Sequence, residues 1–314
     1  MTPSERAANR HFKSLTRRIF RLYSKAADEL EAEAADALDE YNTEYDEMWN
    51  ALQEEQISQT RFNIWVEQTL GASERYKELQ EAVINSVLQC DGIACDWIGE
   101  MLPTIWRDES LYVTYTMDAI TQGSVSLRLL DENAIVRLID TTPNLLPTVN
   151  TKKVTKYVTK KLNNEIAQGF IKGEDIPTIA KRVQNVTHAD EAAAIRNART
   201  AVTSARNGAR QEVYERAVDM GIPVKKMWSC THDSRTRDTH QHVDGELREV
   251  NQKFSNGLMF PGDSSGRPEE LYNCRCTMVT VDELIDDVQP TTNGGNVVGY
   301  KTYKEWAAEN DVEE

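Results

Sequence analysis

Ala217-Val218-Asp219-Met220-Gly221-Ile222-Pro223-Val224-Lys225-Lys226-Met227-Trp228 holds the change of period that decides the fold. Upstream, Ile195, Ala198, Val202, Ala205, Ala209, Val213, Ala217 and Met220 recur at three- and four-residue steps, the stripe of one long helix. Gly221, with Pro223 two residues on, is a helix stop: glycine tolerates the left-handed cap and proline cannot continue the ladder. Downstream the period falls to two. Val224 to Trp228 reads as a strand, and Thr277-Met278-Val279-Thr280-Val281 alternates as a closing one. Between them, Val243-Asp244-Gly245-Glu246-Leu247 carries the Asp-Gly signal of a tight hairpin turn. Helical periodicity that gives way to short strands only near the end predicts an α+β fold, predominantly helical, with a small C-terminal α+β module.

The N-terminal part reads as long helices. Thr2-Pro3-Ser4-Glu5 is a capping box with proline at the first helical position, and Phe12, Leu15, Ile19, Leu22, Ala26 and Leu30 follow at helical steps. The opposite face turns from basic (Arg6, Arg10, Lys13, Arg17) to acidic (Asp28, Glu33, Asp39, Glu44), which suits a solvated face or a projecting arm. A second helical stretch runs from about Gln53 to Gln89 with a break near Gly71, and Gly92, Gly99 and Pro103 make Cys90 to Trp106 look irregular. Cys90 and Cys95 suit buried thiols better than metal ligands. The run from Thr141 to Thr148 reads as an extended loop, after which Lys152, Lys153, Lys156, Lys160 and Lys161 invert the local charge. Gly173-Glu174-Asp175-Ile176-Pro177 is a turn and N-cap. The expected segments are 1–110, an N-terminal helical region; 111–222, a basic helical middle with a linker near 141–151; 223–285, the α+β module; and 286–314, a flexible tail around Asn293-Gly294-Gly295-Asn296. In that tail Tyr300, Tyr303 and Trp306 suit either a helix docked on its own chain or a partner-binding peptide.

Composition narrows the function classes. With 314 residues the chain can bury a sizeable core, and its net charge of −15 opposes general duplex-DNA binding, which needs a basic surface. The Lys152 to Lys161 stretch is the local exception and predicts weak, sequence-independent phosphate contact. Neither a membrane span nor a secretory leader is expected from the charged, polar sequence. Five cysteines are too few for a disulfide framework in a chain of this length.

Chemistry-bearing residues concentrate between Trp228 and Cys276. Imidazole and thiolate are zinc ligands, so His240, Cys274 and Cys276, with Cys230 or Asp233 as a fourth group, suit a zinc site. A metal-free, hydrogen-bonded core with the thiols as small buried hydrophobes fits the same residues. Asp233, Arg235, Arg237 and Asp238 alternate in charge, and arginine's planar fork suits bidentate carboxylate pairing that would anchor this loop and His240. A rival reading is a metal-dependent nuclease or toxin-like enzyme centred on His240 and Asp233.

The order Arg199-Thr200, Trp228, Asp233-x-Arg235-x-Arg237-x-x-His240, Asp244-Gly245, Pro261 and Pro268, then Asn273-Cys274-Arg275-Cys276 resembles the phage Mu protein F-like head-morphogenesis family over roughly residues 155–285. These are minor head proteins of tailed phages. Two positions depart from the pattern: Arg237-Asp238-Thr239-His240 stands where many relatives have Cys-x-x-Cys, and Leu271-Tyr272 where they have His-Pro. The Cys-rich form of the family looks like a four-ligand zinc site. In the long helix, Arg199-Thr200-Ala201 stands for Arg-Thr-Glu. The resemblance implies a non-enzymatic virion protein inside the head near the portal vertex, in the host cytoplasm during assembly. Its implied partners are the portal protein and the major capsid or scaffold protein, with packaged DNA contacted non-specifically during packaging or ejection.

Overall fold

The structure, a computed structural model, describes residues 1–122, 147–282, 292–293, 296–297 and 299–312. Its helices are α1 (Pro3–Asp39), α2 (Asn42–Gln53), α3 (Gln59–Ala72), α4 (Glu74–Ile120), α5 (Thr151–Ile171), α6 (Ile176–Lys181), α7 (Gln184–Asp219), α8 (Asp238–His242), α9 (Pro268–Leu271) and α10 (Tyr303–Glu309). The strands are β1 (Val224–Ser229), β2 (Leu247–Glu249), β3 (Thr277–Asp282), β4 (Thr292–Asn293) and β5 (Asn296–Val297). The fold is α+β and predominantly helical. Compactness groups stretches that lie far apart in sequence. One unit combines Met1–Thr16, Trp97–Pro147 and Arg196–Glu314; the other combines Arg17–Asp96 with Thr148–Ile195.

The second unit is all helical. Leu30, Leu38, Phe62, Val66, Val83, Val158, Leu162, Ile166, Ile179 and Val186 fill its core, with Tyr45 and Phe170 edge to face at 4.9 Å. Tyr45 Oη donates to the Phe170 carbonyl at 3.1 Å, so the phenol keeps a partner while its ring is buried. Truncating a fully buried ring such as Phe62 costs about 3–5 kcal/mol. The turn after α5 needs glycine at 173, where φ is +73° and a Cβ would lie 2.1 Å from the Trp49 ring. The predicted N-cap follows: Asp175 accepts from the Thr178 amide at 2.9 Å.

The first unit carries the sheet, antiparallel in the order β2-β1-β3. Met227 faces Leu247 on one side and Val279 on the other. Alternation along β1 sends Val224, Lys226 and Trp228 inward. Lys226 is fully buried yet satisfied: its Nζ donates to Gln211 Oε1 at 3.0 Å and to the Val250 and Met259 carbonyls at 2.8 Å. Burial lowers its pKa to about 8. Behind the sheet, Val113, Met117, Val213, Tyr214 and Ala217 pack on Val224, Val250 and Met278.

Three local expectations are corrected. Cys90 to Trp106 is regular helix within α4, because Cys90, Ala94, Ile98, Leu102 and Ile105 form a buried stripe that overrides Gly92, Gly99 and Pro103. Asp244-Gly245 does not close a two-residue hairpin, since α8 lies between β1 and β2. Instead Gly245, at φ +75°, donates its amide to the Trp228 carbonyl at 2.9 Å and returns the chain to β1. The α7 stripe is buried at Ala198, Ala205, Ala209, Val213 and Ala217, whereas Met220 is exposed because the helix stops at Asp219. The capping box at Thr2 is present, with Glu5 N–H donating to Thr2 Oγ1 at 3.1 Å and Thr2 N–H to Glu5 Oε2 at 2.8 Å. Of the expected linker near 141–151, residues 141–146 lie outside the described residues, and Asn150 caps α5 by accepting from the Lys153 amide at 3.0 Å. In the tail, 286–291, 294–295, 298 and 313–314 also lie outside them. The aromatic patch docks on its own chain: Trp306 is buried against Tyr115, and its Nε1 donates to Asp118 Oδ2 at 2.8 Å.

Candidate functional site

The end of β1 sets the site. Trp228 is fully buried, edge-to-face with His240 at 5.1 Å and with Phe254 at 5.2 Å, so it walls one side of the imidazole. Two residues on, Cys230 is held by its own amide, which donates to Asp244 Oδ1 at 2.8 Å. This is the role of the Asp244-Gly245 pair: the carboxylate ties the loop start while the glycine turns the loop end. His240 stands on α8, 1% exposed. Its Nδ1 lies 3.5 Å from Cys276 Sγ and 3.7 Å from Cys274 Sγ, and Cys276 Sγ lies 3.6 Å from Cys230 Sγ. The three donor atoms of His240, Cys274 and Cys276 fall within 4.8 Å of one another. Cys230 Sγ itself donates to the His240 carbonyl at 2.8 Å.

The far side of the imidazole meets a carboxylate. His240 Nε2 is 2.9 Å from Glu270 Oε2, an ion-pair distance outside good hydrogen-bond alignment. Glu270 also accepts from Thr239 Oγ1 at 3.0 Å. The thiols are electrostatically unequal. Hydrogen bonding from Cys274 and the imidazole holds Cys276 well below the usual thiol range against the burial penalty, while burial raises Cys230. Glu270 had no motif to announce it. Its signal was the Arg267-Pro268-Glu269-Glu270 helix start, where proline at N1 fixes the turn that carries it.

Asp233 belongs to a neighbouring contact. Arg275 grips it in a fork, Nη2 to Oδ1 at 2.7 Å and Nη1 to Oδ2, and this guanidinium holds the carboxyl well below the usual range. Asp233 also accepts from the Arg235 amide at 3.0 Å. The expected side-chain network is thus corrected: Arg235 is exposed, the Arg237 guanidinium donates to the Tyr272 carbonyl, and His240 is anchored by Glu270 rather than by Asp233, Arg235 and Arg237. Asn273 takes φ +59°, a conformation that asparagine tolerates, and its Oδ1 accepts from Arg199 at 3.4 Å.

Helix α7 reads the backbone of the motif loop, a role the alanine stripe concealed. Thr203 Oγ1 donates to the Cys274 carbonyl at 2.7 Å, Asn207 Nδ2 to that of Cys276 at 3.2 Å, and Arg210 Nη1 to that of Met278 at 2.7 Å. Ser204 Oγ donates to the Gly262 carbonyl at 2.6 Å, and Gly262 has no room for a Cβ against the Ser204 backbone at 3.0 Å. Cys274 and Cys276 therefore sit on a segment bolted carbonyl by carbonyl to a helix. The predicted phosphate-contacting residues are elsewhere: Lys152, Lys153, Lys156 and Lys160 are exposed on α5, and Lys161 pairs with Glu165 at 3.5 Å.

Residues 160–279 match a family model described as Phage Mu protein F like protein. The chain is similar to the NAD(+)–arginine ADP-ribosyltransferase EFV of Enterococcus faecalis, 30% identical over 207 residues, which are 62% of this chain and 41% of that protein. It is also similar to the Minor head protein GP7 of Bacillus phage SPP1, 26% identical over 220 residues, covering 67% of this chain and 70% of that one. It thus spans less than half the length of the first relative. No solved structure matches the chain.

Proposed function

From the membership of residues 160–279 in the Phage Mu protein F-like family, we propose that the chain is a non-enzymatic minor head protein of a tailed phage. The observation that carries this reading is the coincidence of the family match with the Trp228 to Cys276 loop, which α7 fixes through Thr203, Ser204, Asn207 and Arg210. The similarity to the SPP1 minor head protein, over most of both chains, supports the same reading. We assign it to the head interior near the portal vertex, bound to the portal protein and to the major capsid or scaffold protein, with the host cytoplasm as its place during assembly. Among the described residues no helix is long and apolar enough to cross a membrane. Exposed Lys152, Lys153, Lys156 and Lys160 give it weak, salt-sensitive contact with packaged DNA during packaging or ejection.

The partner burdens on His240 and Asp233 favour this reading over a nuclease or toxin-like centre. Nδ1 of His240 faces two thiols and Nε2 faces Glu270, while Asp233 is forked by Arg275, so neither is presented to a substrate phosphate. The test is co-expression of the full chain with the portal, major capsid and scaffold proteins of its phage, followed by low-salt purification. Retention by the portal is the expected result. Loss from all three, or NAD⁺-dependent modification of arginine side chains by the purified chain, overturns the proposal.

A further inference from the structure

We propose that Cys230, Cys274, Cys276 and Nδ1 of His240 bind one zinc ion, and that Glu270 acts as the positioning residue on His240 Nε2. The argument begins with edge lengths. Zinc holds sulfur at about 2.3 Å and imidazole nitrogen at about 2.0–2.1 Å, so the edges of a mixed tetrahedron are roughly 3.5–3.8 Å. The separations here are 3.5 Å from Cys276 Sγ to His240 Nδ1, 3.7 Å from Cys274 Sγ to that nitrogen, and 3.6 Å from Cys276 Sγ to Cys230 Sγ. His240 Nδ1, Cys274 Sγ and Cys276 Sγ thus outline one face of such a tetrahedron, and Cys230 Sγ, next to Cys276 but outside that group of three, must swing in to complete it.

The donor chemistry selects the ion. Three thiols and one imidazole are soft-to-borderline donors, unlike the oxygen cages that magnesium and calcium require. All four donors come from residues that are 8% exposed or less, so the site is closed by protein and structural in type. Binding displaces the thiol protons to solvent, and Cys230 gives up its hydrogen bond to the His240 carbonyl to join the other three.

Glu270 supplies an independent pointer. A histidine that ligates through one nitrogen commonly presents the other to a carboxylate, which fixes the tautomer and the ring plane. His240 approaches this arrangement: Nε2 lies 2.9 Å from Glu270 Oε2, short of hydrogen-bond alignment, Nδ1 faces the sulfurs, and the Trp228 ring packs edge to face on the imidazole. A carboxylate only 6% exposed is otherwise an expensive neighbour for three buried thiols.

The test uses the full chain purified under reducing conditions without chelator. Elemental analysis should give about one zinc per chain. Cobalt titrated into the chelator-stripped chain should give one equivalent of tetrahedral visible absorption with a sulfur-to-cobalt band. Cys230→Ser and Cys276→Ser should each weaken or shift that spectrum, Cys90→Ser should leave it unchanged, and Glu270→Gln should keep the stoichiometry while lowering affinity about 10–100-fold. A folded wild-type chain with no zinc and no cobalt spectrum overturns the proposal, whatever the variants do. So does a Cys230–Cys276 disulfide in the reduced, metal-exposed protein, and an unaltered cobalt spectrum in Cys230→Ser overturns the four-ligand assignment.

Discussion

Two seams of this chain bury carboxylates, and they are resolved in opposite ways. In the sheet-bearing unit Glu109 is fully buried and lies between two arginines: Arg206 Nε donates to Oε2 at 2.8 Å and Arg210 Nε to Oε1 at 2.6 Å. In the helical unit Asp190 is nearly as buried, yet its Oδ2 has no hydrogen-bond partner among the described residues, and Asp91 is its electrostatic neighbour. Tyr23 donates to Asp91, which gives that second carboxylate one donor. Burial alone pushes every one of these groups toward the neutral form, and what decides the outcome is the number of aimed donors. Burial would raise Glu109, but Arg210 and Arg206 bring it below the usual range; burial, reinforced by Asp91, raises Asp190 to about 7, with Lys161 only partly opposing it.

The sharpest way to break the contrast is Glu109→Gln. It leaves Arg210 buried without a counter-charge and should cost about 3–5 kcal/mol, read by denaturant unfolding of the full chain. Because the Glu109 pKa is depressed, its stabilisation is present above the ordinary carboxylate pKa and is lost only as pH falls through the lower folded value. A loss below about 1 kcal/mol would mean that the arginines find other acceptors. Asp190→Asn should act in the opposite direction. A raised acid pKa contributes stability at low pH that is lost as pH rises from 3.8 toward 7, so the wild type should weaken over that window and the variant should not. At pH 8 the variant should be more stable by about 1–2 kcal/mol, a figure reduced for partial solvent screening. Parallel pH profiles for the two proteins would show that Asp190 does not titrate there. The smallest effect belongs to Tyr23→Phe, which removes the phenol donor from Asp91 and should cost about 1 kcal/mol near neutral pH. That loss should shrink in acid as Asp91 is protonated, and a loss unchanged with pH would place it in packing instead.

The sequence shows the paired seam poorly and the elements around it well. Periodicity locates α7, β1 and β3 because apolar spacing is a local property, and Val224 to Trp228 alternates as plainly in the sequence as in the sheet. It misreads Cys90 to Trp106 because Gly92, Gly99 and Pro103 are local breakers, while the five buried residues Cys90, Ala94, Ile98, Leu102 and Ile105 act together. At the candidate site the donor types are legible in the sequence, and the structure places the donor atoms of His240, Cys274 and Cys276 within 4.8 Å of one another. Their supports are not legible. Glu270 is one glutamate among many, and Thr203, Asn207 and Arg210 look like the polar side of an alanine helix until the carbonyls of residues 274–278 are placed beside them. Contacts between residues about 70 positions apart leave no periodic trace.

The buried Lys226 amine makes the module its own timekeeper. Exposed lysines such as Lys152 and Lys156 meet an amine-reactive label at once, but the label reaches Lys226 only when β1 parts from the Val250 and Met259 carbonyls that it donates to. Mass spectrometry of that one peptide against labelling time therefore reads how often the sheet opens, without adding a probe or altering a residue.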